Sequence, residues 1–432
     1  MNTYPSYKDS GVEWIGDIPS DWDIVRMCYV FKTKSIKNTH NETNLSVYRD
    51  YGVIPTNSRD DNHNVISEDI SNYKLVDIGD FVMNKMKCWM GSLGLSDYRG
   101  IVSPSYTVME PLIENEHKYI HYLLRSKLYI PQYKRLSYGV RIGQWDLRFE
   151  DFRELPCLIP PLHEQQQISD YLDYKTSKID TLIEKTQQKI ELLKEQRISL
   201  INTTVTKGLD PNVEMKDSGV EWIGDIPSDW KVKKLTYVTN SIGSGTTPKT
   251  SNSLFYEEGH IPWLNTGDLN DGYIYKTKKK VTKLAIEKHT SLKVFPINSV
   301  SIAMYGATIG KLGLFKIPVT VNQANCVFVF DEVNVSKFWF YVLMEYRPQI
   351  VSLGYGGGQP NISQDLLKSL RFGCPSYKNQ QQIVDYLDKE TSKIDKLVDI
   401  ESKRIVLLKE YRQSLISEVV TGKVDVRDEV LL

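Results

Sequence analysis

The stretch KDSGVEWIGDIPSDW at residues 8–22 returns unchanged at residues 216–230. Two further pairs keep step with it: EQQQISDYLDYKTSKID (164–180) with NQQQIVDYLDKETSKID (379–395), and IELLKEQRISLI (190–201) with IVLLKEYRQSLI (405–416). A period of roughly 210 residues is far longer than the unit of a solenoid, so each copy is a domain plus a connector. The chain of 432 residues therefore folds as two related halves. Between the matched blocks the halves diverge: residues 29–138 and 237–354 share little beyond GSLGL (91–95) against GKLGL (310–314), and GQWDL (143–147) answers GQPNI (358–362). A common frame carrying two different inserts points to one assembly geometry that presents two different reading surfaces.

The connectors read as long helices. Over residues 162–206, Leu172, Ile179, Thr186, Leu193 and Leu200 fall seven apart, with Leu182, Ile183 and Ile190 filling the intervening turn. Leu387, Ile394, Glu401, Leu408 and Leu415 repeat the series, and both copies place a polar residue third, as register-fixing coiled-coil positions do. Pro160, Pro161 and Pro375 mark the N-terminal ends; Gly208, Pro211 and Gly422 mark the C-terminal ends. Helices of this length with one apolar seam need a partner, and repeat symmetry makes each the partner of the other. The order of blocks is circular, which suits an antiparallel pair with an approximate two-fold axis. The inserts mix β-like runs (300–304, 319–321, 326–330) with helical ones (118–127, 335–345), an α+β pattern.

Composition removes several classes. Hydrophobic residues at 41% and charged residues at 25% fit a water-soluble chain, and no apolar run approaches the ~18 residues of a membrane span. The N-terminus lacks signal-peptide character, so a cytoplasmic location is expected. The cysteines Cys28, Cys88, Cys157, Cys326 and Cys374 are scattered without zinc-ligand spacing and are read as structural thiols, with no metal site. GATIGKL (306–312) is one residue too short for a phosphate-binding loop and has Leu312 where a magnesium-holding Ser or Thr belongs. No nucleophile elbow, dinucleotide fingerprint or metalloprotease motif is present, and the chain reads as non-catalytic.

Charge is unevenly placed. The net charge is +0, yet residues 231–374 hold 17 Lys and Arg against 9 Asp and Glu. The cluster Lys276, Lys278, Lys279, Lys280 and Lys283, with Lys311, and Lys85 and Lys87 in the first insert, are candidates for phosphate contact. Asn265, Thr266, Asn322, Gln323, Gln359 and Asn361 in the second insert, and Arg141 and Gln144 in the first, are candidates for base reading. Arg can bond guanine bidentately, and Asn or Gln can bond adenine. Asn and Gly also make ordinary turns, and lysine runs also make solvated faces. Trp14, Trp22, Trp222 and Trp230 in the repeated block either dock a partner or clamp each insert onto the helices.

The repeated GVEWIGDIP block, the PPLHEQQQISDYLD run (160–173) leading into a long helix, its echo from Pro375, and the variable inserts together resemble a type I restriction-modification specificity subunit, over essentially the whole chain. The resemblance implies two target-recognition domains, at residues 23–158 and 231–374, separated by two long helices, at 159–208 and 375–423, that form an antiparallel coiled coil. The repeated blocks, 1–22 and 209–230, and a tail, 424–432, complete the chain. Leu172, Ile179, Leu193, Leu200, Leu387, Ile394, Leu408 and Leu415 are then the helix-pairing residues. Each domain would read one half of a bipartite, asymmetric site in double-stranded DNA, with the helices setting the gap. The implied partners are two methyltransferase subunits, which use S-adenosylmethionine to modify adenine, and restriction or motor subunits that use ATP and Mg; this chain would bind none of those cofactors. The competing reading is a coiled-coil scaffold that binds only proteins. Salt separates the two, because DNA binding weakens steeply as salt rises.

Overall fold

The computed structural model describes residues 2–37, 42–49, 51–58, 69–141, 144–355 and 361–429. Its longest elements are the two expected helices, Leu162–Lys207 and Tyr377–Val420, of 46 and 44 residues. At 1.5 Å per residue each is about 70 Å long. A glycine with positive φ follows each within two residues, Gly208 (79°) and Gly422 (70°), the left-handed turn that ends many helices. The chain divides into two compact units, residues 1–187 with 402–432, and residues 188–401. Each unit takes one insert and one segment of each long helix.

Within each unit the two helix segments run antiparallel. In the second unit Lys189 meets Glu401 at 2.6 Å and Arg197 meets Asp395 at 2.9 Å, one number rising as the other falls. In the first, Arg412 pairs with Asp180 at 2.9 Å, while Leu172 and Ile179 share a core with Leu415, Ile416 and Val419. Leu387 and Ile394 are buried too, whereas Leu193, Leu200 and Leu408 are half-buried, since a two-helix contact covers only a narrow strip. The polar third positions lie in that strip. Thr186 donates to the Leu182 carbonyl at 2.6 Å, and the Glu401 carboxylate accepts from Lys189.

Each insert is built on the same antiparallel frame. The first unit's sheet runs Phe31–Lys34, Tyr106–Pro111, Phe81–Asn84, Leu93–Leu95. The second runs Thr239–Gly243, Asn325–Phe330, Val300–Ala303, Leu312–Phe315, and adds Gly272–Ile274 in parallel. The shared Gly-x-Leu-Gly-Leu segments are the turn and strand Leu93–Leu95 and its counterpart Leu312–Phe315. Against these sheets lie the insert helices His117–Leu124 and Ser336–Glu345, which bury Tyr119, Ile120, Leu123 and Leu124, and Phe338 to Leu343, respectively. The inserts differ in what they add. The first carries the hairpin Leu45–Tyr48/Gly52–Pro55, and the second a three-stranded sheet of Lys279–Val281, Ile261–Leu264 and Thr320–Val321.

The repeated tryptophan block is a clamp. It forms the hairpins Tyr7–Asp9/Asp17–Pro19 and Met215–Asp217/Asp225–Pro227, burying Ile18, Trp22, Ile226 and Trp230. The Trp22 indole lies against Gly422, where an added β-carbon would sit 3.3 Å from the ring, and Trp230 lies against Gly208 in the same way at 3.5 Å. Each block thus covers the C-terminal end of a long helix, which accounts for its identity in both halves. Trp22 Nε1 also donates to the buried Glu164 carboxylate at 3.0 Å, as does the Tyr4 hydroxyl.

Candidate nucleic-acid interface

In the second unit the polar turns named from sequence converge through backbone contacts. Strand Ile261–Leu264 ends at Asn265, whose N–H donates to Asp268 Oδ2 at 3.0 Å. The Asn322 N–H donates to the Leu264 carbonyl at 3.1 Å, so the two turns are neighbours. The Met304 N–H donates to Ala324 O and the Ile362 N–H to Met304 O, both at 2.8 Å, which brings Asn361 to the same edge. Lys278 is drawn in as well: its N–H reaches Asp268 Oδ1 at 3.3 Å and its ammonium reaches Gly267 O at 3.2 Å. Lys276 and Lys278 line a shallow cleft of about 630 Å³ with Tyr273 and the exposed Tyr275. Lys279, Lys280 and Lys311 are exposed, and Lys283 lies 3.9 Å from Glu287.

The neighbouring turns do not do the same job. Asn322 Nδ2 donates to Asn265 Oδ1 at 3.3 Å, and its Oδ1 accepts from Ala324 N at 3.1 Å and Asn325 Nδ2 at 2.6 Å. Both ends of that amide help hold the turn together, so Asn322 braces it and keeps one Nδ2 hydrogen as a candidate for base reading. The exposed residue is its neighbour Gln323, whose Oε1 accepts from the Thr247 hydroxyl at 2.7 Å and whose carbonyl accepts from Ser244 at 3.2 Å. Ser244 and Thr247 belong to a loop absent from the sequence-derived set. Gly245 lets that loop pass over Val321 so closely that a β-carbon would stand 1.7 Å from the Val321 carbonyl oxygen. Trp263 Nε1 and the Tyr256 hydroxyl tether the loop at Thr246 O (3.3 Å) and Pro248 O (2.5 Å).

The first unit places different chemistry at the same register. Aligned on Gly-x-Leu-Gly-Leu, Lys85 stands where the second half has Met304, and Pro104 where it has Gln323. The Leu147 N–H donates to Lys85 O at 3.1 Å as Ile362 does to Met304. Lys85 is half-buried and Lys87 exposed. Lys74, which has no cluster around it in sequence to single it out, donates to Tyr106 O at 2.6 Å and Pro104 O at 3.1 Å. Burial, with Lys85 and Lys37 nearby, holds its ammonium below the usual lysine pKa, so an anion arriving there relieves a repulsion already present. Lys34, Lys74, Lys85 and Arg148 line a cleft of about 330 Å³ together with Asp146 and Glu150. Trp89 and Trp145, in the same unit, meet edge to face at 5.0 Å. Gln359 lies outside the described residues, and of Arg141 and Gln144 only the backbone strands Tyr138–Arg141 and Gln144–Asp146 are described. Among the described residues no group of His, Cys, Asp and Glu is arranged to hold a metal ion, and no helix is long and apolar enough to cross a membrane.

Known proteins share this plan. Residues 19–192 and 227–410 each match the type I restriction modification DNA specificity domain. The putative type I restriction enzyme MjaX specificity subunit of Methanocaldococcus jannaschii is 25% identical over 96% of this chain and 96% of its own length. The EcoR124I/EcoR124II specificity subunit of Escherichia coli is 25% identical over 52% of this chain and 58% of its own. Two solved structures share the fold. A chain from work on the assembly and conformational transition of the type I R-M system gives a TM-score of 0.65 at 17% identity, covering 94% of this chain and 99% of that one. The HsdS subunit from Thermoanaerobacter tengcongensis gives 0.59 at 16% identity, with 94% and 98% covered. Matched once in each half and over most of its length, the chain belongs to the type I restriction-modification DNA specificity family.

Proposed function

We propose that this chain is the sequence-reading, non-catalytic subunit of a type I restriction-modification complex, each insert reading one half of a bipartite site in double-stranded DNA. The observation that carries the reading is the pairing of one frame with two different edges. Gln323, Thr247 and the Lys276–Lys279 segment occupy the edge in the second unit, where the first has Lys85, Lys74 and Pro104. Different donors at one register predict different half-sites, hence an asymmetric target. The long helices set the gap between the half-sites. Methyltransferase subunits dock on their uncovered apolar side chains: Leu192 (64% exposed), Ile198 (63%) and Ile400 in the second unit, Val406, Leu407 and Tyr411 in the first. S-adenosylmethionine, ATP and Mg are handled by the methyltransferase and motor subunits, and the work is done in the cytoplasm, where the DNA is.

The test is co-expression with the methyltransferase subunit in a methylation-free host, followed by mapping of modified adenines by single-molecule sequencing. A gapped asymmetric motif methylated on both strands is the expected result. A stable complex that modifies nothing, or modifies the same sites without this chain, rejects the proposal.

A further inference from the structure

One constellation recurs in both units, where each long helix meets its insert helix. In the first unit Asp173, on the long helix, accepts from the Tyr122 hydroxyl at 2.7 Å and from Lys118 Nζ at 2.6 Å. In the second, Asp388 accepts from the Tyr341 hydroxyl at 3.0 Å and from Lys337 Nζ at 2.6 Å. Lys and Tyr stand four apart on each insert helix, hence on one face, and the same carboxylate receives both. A second attachment lies eight residues earlier on each long helix. Gln165 Oε1 accepts from Glu116 N–H at 2.9 Å and its Nε2 donates to Pro160 O at 2.8 Å; Gln380 does the same with Val335 N–H at 2.8 Å and Pro375 O at 3.1 Å.

Two attachments constrain more than one. The insert helix also shares an apolar core with the long helix, which permits small shifts in angle; directional bonds at points eight residues apart, about 12 Å along the axis, narrow that angle more than one point would. The insert helix is in turn continuous with the reading edge, because Tyr119, Ile120 and Leu123 share a core with Phe81, Met83 and Leu93, as Phe338 and Trp339 do with Val300, Ile302 and Leu312. Those strands end at Asn84 and Ala303, next to Lys85 and Met304. Stability alone does not explain the recurrence. The Lys118–Asp173 side chains are 56% and 38% exposed, and a pair that exposed contributes little to folding; Lys337–Asp388, at 20% and 41%, is more sheltered, yet the geometry is the same in both.

We propose that Asp173 with Lys118 and Tyr122, and Asp388 with Lys337 and Tyr341, are positioning latches that set the angle of each insert on its long helix, and thereby the gap length the complex accepts. The proposal rests on the DNA-reading function above. A recognition edge held at one angle accepts half-sites at one separation; an edge free to pivot accepts neighbouring separations as well.

The test uses the complete methyltransferase complex on duplexes carrying the mapped half-sites at the native gap and at gaps one base pair longer or shorter. Misplacement by about 1 Å can cost up to ~100-fold in rate, so the wild-type complex discriminates against the altered gaps, and Asp173→Asn or Asp388→Asn lowers that preference about tenfold. Asp173→Glu restores part of it. Loss of folding alone would lower methylation at every gap equally and leave the preference intact. Should Asp173→Asn fail to fold, Tyr122→Phe removes one hydroxyl and is expected to shift the preference in the same direction. Unchanged gap preference in a folded variant overturns the proposal. A wild-type complex that methylates no gapped site indicts the proposed function instead, and the latch is then judged by distance. Spin labels at Tyr98→Cys and Lys178→Cys, both exposed in the first unit, give a distribution that broadens in Asp173→Asn if the latch holds the insert, and an unchanged one refutes it.

Discussion

Trp22→Ala tests the clamp role of the repeated tryptophan block. The indole is 0% exposed, contacts Tyr4 and Tyr119 edge to face at 5.9 and 6.3 Å, and donates to Glu164 at 3.0 Å. Truncating a buried aromatic to alanine costs about 3–5 kcal/mol in transfer and cavity terms. Removing a donor from a buried carboxylate adds about 1–3 kcal/mol. The expected loss of about 4–8 kcal/mol is comparable to the whole stability of a typical domain, ~5–15 kcal/mol. Trp22→Phe keeps most of the apolar surface and removes only the donor and the second ring, so its loss is smaller, about 2–3 kcal/mol. Urea unfolding followed by far-UV circular dichroism, with calorimetry to resolve the two units, measures both. Losses under about 1 kcal/mol for both variants, together with failure to bind the methyltransferase subunit, would refute the clamp and restore the docking role.

Three further outcomes follow from the same contacts. Replacing Lys276, Lys278 and Lys279 by Ala lowers the slope of log affinity against log salt by about 2–3, since each phosphate contact contributes about 0.9; an unchanged slope in fluorescence anisotropy places DNA elsewhere. His121 Nδ1 accepts the Leu95 N–H at 3.1 Å, and burial, then Arg125 and Arg412, pull its pKa down to about 3. The folded protein therefore binds fewer protons there than the unfolded chain. Full stability holds above pH ~6.5 and falls as pH drops toward 3, by up to about 2 kcal/mol at pH 5, and His121→Phe, the residue at the matching position 340, flattens melting temperature against pH over that window. Leu407→Glu, at a side chain 64% exposed, leaves the melting temperature within error and lowers methyltransferase capture at least about tenfold; undiminished capture rules that face out.

Much of the frame was legible because it is written twice. The matched runs 164–180 and 379–395 mark the start of both long helices, and proline before and glycine after bound them without reference to anything distant. Heptad spacing is a local property of consecutive turns, so Leu172, Ile179, Leu387 and Ile394 were readable as seam residues. The candidate interface was legible only as a set of residue types. Lys74 stands alone in sequence, and its neighbour Lys85 is reached only when the strands of the first insert are in register.

What the sequence by itself determined is the duplication, the two long helices and the divergence of the inserts, since these depend on period, composition and end signals within a few turns of chain. Which polar groups face outward was decided by tertiary structure. Asn322 and Gln323 are adjacent, yet the first is half-buried with both ends of its amide bonded to Asn265, Ala324 and Asn325, while the second is exposed and meets Thr247 at its Oε1. A side chain's free hydrogen-bonding capacity is what remains after distant strands have met, and no local pattern records it.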